Sequence, residues 1–82
     1  MLEEINEKIA CEILFKQGKA TPRYLLWKKR WYKIEKVLLR WEERKGRELL
    51  RHFSVTDGCN TFHIVFYPES LTWKLLGIDK CD

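Results

Sequence analysis

Eighty-two residues, with a formal net charge of +4 and 34% charged side chains, describe one small folded domain and not a disordered tail. A chain this short buries only roughly 60–65% of the surface its unfolded form exposes, so four Trp, four Phe and three Tyr must supply the core, at roughly 150–250 Å² each. Three cysteines without a CxxC pair, an acidic start and no apolar run near the roughly 18 residues of a spanning helix argue against a disulfide scaffold, a signal peptide and a membrane span.

The first residues leave two readings open. Leu2, Ile5 and Ile9 have the spacing of a helical face, so residues 1–8 are expected as a helix or a tail of a single domain over residues 1–82. From Cys11 the pattern changes: Cys11, Ile13 and Phe15 alternate with Glu12, Leu14 and Lys16, as in a half-buried strand. After a turn at Gly18, Leu25 and Trp27 share one face, with Tyr24 and Leu26 on the other. Lys28-Lys29 separates this run from the next, in which Tyr32 and Ile34 continue the inner face and Trp31 and Lys33 point outward.

Ile34, Val37, Leu38 and Trp41 then fall at i, i+3, i+4 and i+7, which fits either a helix or a bulged strand. The rest is plainer. Phe53 and Val55 alternate, Asp57-Gly58 signals a turn, Phe62, Ile64 and Phe66 alternate with His63, Val65 and Tyr67, and Trp73 and Leu75 close a last strand. The expected fold is mainly β: a small antiparallel sheet, SH3-like barrel or roll of about five to six strands, with α+β as the alternative.

Charge is uneven along this frame. Residues 16–51 carry thirteen Lys or Arg against four Glu, whereas the segments before and after are net acidic. An anionic partner is therefore expected against the middle of the chain.

Catalytic and metal signatures are weak. His52 and Ser54 point the same way in a strand, with Asp57 nearby, but lack the base-orienter geometry of a triad. Glu42 and Glu43 point apart. Cys11, Cys59, Cys81, His52 and His63 contain no close ligand pair of the structural-zinc kind. The expectation is a protein that is not an enzyme and takes no cofactor.

The pattern Pro22-x-x-Leu25-x-Trp27, Arg30-x-Tyr32-x-Ile34-x-x-Val37-x-x-x-Trp41, Phe53-x-Val55, Phe62-x-Ile64-x-Phe66 and Trp73-x-Leu75 resembles a small uncharacterised bacterial domain. Members are sometimes encoded near, or fused to, Y-family DNA polymerase-like repair proteins. The resemblance covers roughly residues 9–76. It implies a mainly β fold, a bulged strand at Val37 to Trp41 and a DNA-repair context. Where the family has Gly in the first hairpin turn this chain has Lys28 and Lys29, so a longer or different turn is expected there.

The candidate binding residues are Arg23, Tyr24, Lys28, Lys29, Arg30, Trp31 and Lys33. They suit a cytoplasmic interaction module whose partner is a protein or a second copy of the chain, aided by an outer apolar patch of Leu14, Leu26, Trp31 and Val65. Single-stranded nucleic acid, stacked on the rings and neutralised by the cations, is the alternative. No membrane contact or small-molecule substrate is read from the residues.

Overall fold

The computed structural model describes residues 2–81, so Met1 and Asp82 of the expected domain lie outside it. Seven strands form one antiparallel sheet in the order β3-β2-β1-β7-β6-β5-β4. They are β1 (Leu2–Lys16), β2 (Lys19–Trp27), β3 (Arg30–Lys33), β4 (Lys36–Lys45), β5 (Glu48–Thr56), β6 (Thr61–Tyr67) and β7 (Thr72–Asp79). The mainly β expectation holds, but five to six strands was too few. No helix occurs among the described residues, which removes the N-terminal helix and the α+β alternative.

The N-terminal segment is instead the first half of a 15-residue strand. Asn6, at φ 59°, sits in a bulge between Glu4 and Glu7. Ile5 and Ile9 pack against the core, whereas Leu2 is 68% exposed, so the three do not form one apolar face. Pairing with β7 holds this segment in the sheet, whereas an isolated helix of so few residues is marginal in water.

β1 serves two neighbours. Leu2 to Ile9 pair with β7, and Ala10 to Lys16 pair with β2, so the sheet bends along β1 and folds over itself. Leu25, Trp27 and Ile34 from the smaller part meet Phe53, Val55, Phe62, Ile64, Trp73, Leu75 and Ile78 from the larger. A bulge in β7 around Leu76 resets the alternation, which is why Trp73 and Leu75 share the core with Ile78 and not with residue 77.

The chain crosses from one sheet edge to the other at Ile34-Glu35. Ile34 N donates to Arg23 O at 2.8 Å on one side, and Glu35 N donates to Thr56 O at 2.8 Å on the other. The edge strands β3 and β4 do not pair, so the roll stays open. Arg40 of β4 spans the gap, donating to Ala20 O at 2.7 Å and Thr21 Oγ1 at 3.1 Å. Past the crossover, the ambiguous stretch is thus a bulged strand from Lys36, with the register shift between Val37 and Leu39.

The turn at Lys28-Lys29 corrects another expectation. Trp27 pairs with Arg30, so the loop has only two residues, and both lysines take positive φ, 52° and 63°. This is the backbone of a primed hairpin turn, normally filled by Asn-Gly. A side chain in the left-handed region costs roughly 1–2 kcal/mol, and Gly returns part of that through unfolded-state entropy. Lys29→Gly should therefore raise stability by about 0.5–1 kcal/mol. A urea melt checks this, and an unchanged or lowered midpoint would mean the lysine turn is relaxed.

Candidate functional site

The hairpin of β2 and β3 lies at one edge of the roll, and the strand parity distributes its residues over two faces. Tyr24 pairs with Lys33 and Leu26 with Trp31 on the outer face, while Leu25 pairs with Tyr32 and Trp27 with Arg30 on the inner. Burial follows that division: Leu25 and Trp27 are buried, whereas Trp31 is 50% and Tyr24 37% exposed. On the β1 side Ala10 lies beside Leu26 and Glu12 beside Tyr24. The outer face therefore runs Ala10-Leu26-Trp31 in one row and Glu12-Tyr24-Lys33 in the next.

The seven candidate residues do not all converge. Tyr24, Trp31 and Lys33 share the outer face. Arg30 turns to the other side, with its guanidinium 5.3 Å from the Tyr32 ring, and Lys28 Nζ stands 4.8 Å from the Trp27 ring. These cations cover core rings. Lys29 stands at the turn, and Arg23 joins Lys33 and Lys36 along a cleft of about 430 Å³ between the base of the hairpin and β4. Glu35 also lines that cleft.

The proposed apolar patch also needs correction. Leu14 and Trp31 are exposed, but Val65 is fully buried. It lies between His52 of β5 and Lys74 of β7 in a second, smaller packed layer on the outer face of the large sheet. Leu50 and His52 are buried there too. Trp41 stacks on His52 with ring centroids 5.1 Å apart and planes at 10°.

That layer holds a polar chain that sequence reasoning missed. His52 Nε2 lies 2.8 Å from Glu43 Oε1, and His52 Nδ1 lies 2.8 Å from His63 Nε2. In the tautomer of a neutral His52 whose Nε2–H donates to the Glu43 carboxylate, Nδ1 accepts from His63 Nε2–H. Residues 43, 52 and 63 sit on three successive strands, and only the cross-strand register brings them together. Glu42 points to the opposite face and pairs with Arg51 at 3.0 Å. Among the described residues no group of three or more His, Cys, Asp or Glu could hold a metal ion.

Burial, and then the neighbouring His52, hold the His63 imidazole below its usual pKa against the opposing pull of Glu43. Its neutral form is favoured by folding. The corresponding stability is fully present above the unfolded value of about 6.5 and is lost as pH falls through the window down to the lowered folded value. Urea melts at ~pH 7.5 and ~pH 5 should show that loss, and His63→Gln should reduce it. An equal decline in the variant would assign the acid sensitivity to other groups.

The β5–β6 turn is closed by Asp57. Burial would raise its pKa, but hydrogen bonds from Cys59 N, Asn60 N and Asn60 Nδ2 outweigh that and hold the carboxyl below its usual value. This turn presents Cys59 to Cys81 after β7, and the two form a disulfide with Cα atoms 5.3 Å apart. The odd cysteine count concealed this pair. Cys11 is the free thiol; burial pushes its pKa up to about 12, with Glu12 adding to the shift. Comparison with family models, curated proteins and solved structures finds no match for this chain.

Proposed function

We propose that the chain is a non-catalytic interaction module that accepts an extended, acidic segment of another polypeptide along the open edge of β3, with Trp31 as the anchor. The observation that carries this reading is a half-exposed Trp31 on an edge strand, next to Leu26 and with no strand on its far side. An unpaired edge offers its N–H and C=O groups to a partner strand. Tryptophan is among the residue types enriched at binding hot spots. Lys33 and Lys29, with Arg23 at the base, favour acidic side chains on that partner.

Glu12 beside Tyr24, and the engagement of Lys28 and Arg30 with core rings, favour a polypeptide over a phosphate backbone. A cytoplasmic setting belongs to this proposal, and there Cys59 and Cys81 would stand as thiols. The family resemblance adds a DNA-repair context to it.

Fluorescence anisotropy with a labelled peptide of alternating Glu and Val tests the proposal, with an oligothymidylate run in parallel at ~50 and ~200 mM salt. The peptide should bind, and Trp31→Ala should weaken it by about thirtyfold, the hot-spot scale. Binding of the oligonucleotide alone, with a steep salt dependence, would transfer the site to nucleic acid. A dimer in light scattering that Trp31→Ala dissolves would make the partner a second copy.

A further inference from the structure

Away from the hairpin tip, the open roll ends in a second cleft of about 410 Å³, between the β1–β2 turn and strands β4 to β7. Its floor is a run of rings: Phe53 lies 5.6 Å and Phe66 5.0 Å from Trp73, centroid to centroid. Phe15, a large aromatic left 76% exposed, also lines the cleft. The rim is cationic. Lys19, Arg40 and Arg51 line it against a single acid, Glu42.

The rim cations differ in freedom. Arg40 is fixed over the Phe53 ring by its bonds to Ala20 and Thr21. Arg51 and Glu42 pair with about half of each side chain exposed, so Arg51 can turn to another carboxylate at little cost. An apolar floor with a net positive mouth is complementary to a molecule that is apolar along its length and anionic at one end. At roughly 30 Å³ for each methylene-sized group, the space accommodates a chain of about ten to twelve carbons.

We infer that this cleft binds a medium-chain alkyl carboxylate, with the tail along Phe66 and Trp73 beside Phe15 and the carboxylate at Arg51. The site is distinct from the β3 edge and does not depend on what binds there.

Isothermal titration of the full chain with octanoate, nonanoate and decanoate, below their micelle concentrations, tests it. Affinity should rise about threefold to fourfold per added methylene, and decyltrimethylammonium should bind at least about fivefold more weakly than decanoate. Phe15→Ala should flatten the chain-length series. Arg51→Ala should abolish the preference for the anion while leaving the alkyl series intact. Both side chains are exposed, and an unchanged far-ultraviolet spectrum confirms that the variants fold. No heat below millimolar ligand, no chain-length dependence, or equal binding of the cationic amphiphile would each overturn the assignment.

Discussion

Reduction of the Cys59–Cys81 disulfide is expected to lower the unfolding free energy by about 3 kcal/mol, because the bond closes a loop with a sequence separation of 22. The Cα separation of 5.3 Å lies within the usual range, so the folded backbone needs no adjustment to accept it. For a domain whose total stability is roughly 4–12 kcal/mol, that is a large share. It corresponds to a fall in melting temperature of about 12–24 °C. Thermal melts with and without reductant measure it. The double variant Cys59→Ser with Cys81→Ser should melt with the reduced protein and be indifferent to reductant. A melt that reductant does not move would mean the pair is not crosslinked in solution. Cys11 will not compete for either partner, because its raised pKa leaves it a protonated, unreactive thiol.

The result also bears on where the module works. An intact disulfide is the chemistry of an oxidising compartment. If the reduced form remains folded near neutral pH, the cytoplasmic proposal stands with a dithiol in the β5–β6 turn. If it does not, the interaction module belongs outside a reducing environment.

Alternation made most of the fold legible in the sequence. Leu25, Trp27, Phe53, Val55, Phe62, Ile64, Trp73 and Leu75 fall on the alternating apolar positions and are buried, whereas Phe66 of the same pattern is half-buried and Phe15 is exposed. Bulges hid the remainder. The one in β1 disguised a strand as helix spacing, and the one in β7 moved the inner position from an odd residue to Ile78. At the hairpin, parity separated Trp27 and Tyr32 from Tyr24 and Trp31, but charge counting could not reveal that Lys28 and Arg30 lie over core rings. The Glu43-His52-His63 chain and the Cys59–Cys81 pair were illegible for one reason. Each joins residues distant in sequence, and only register or the return of the chain after β7 brings them together.

The second large effect falls on Phe62, the residue that couples core and candidate site. It is fully buried, it lies between Val55 of β5 and Ile78 of β7 in the ladder, and its ring centroid is 5.2 Å from that of Tyr32 on β3. Tyr32 in turn lies 6.3 Å from Trp27 across the hairpin. Phe62→Ala removes the central ring of this chain and leaves a cavity, at an expected cost of about 3–5 kcal/mol. That approaches the lower bound of the whole domain's stability, so a urea melt should find the variant largely unfolded or without a cooperative transition. Phe62→Leu keeps most of the volume and should cost no more than about 1.5 kcal/mol, which leaves a folded protein in which to follow the coupling. Because the lost contact is the one to Tyr32, whose amide faces β2 while that of Trp31 faces the open edge, hydrogen exchange of the Tyr32 amide should accelerate more than that of the β5–β6 ladder. Affinity for the acidic peptide should fall with it, although no residue of the β3 edge has changed. A Phe62→Leu protein with a lowered melt but unaltered hairpin exchange would show that the hairpin is held by its own turn and by β1, and that core packing does not set the geometry of the binding edge.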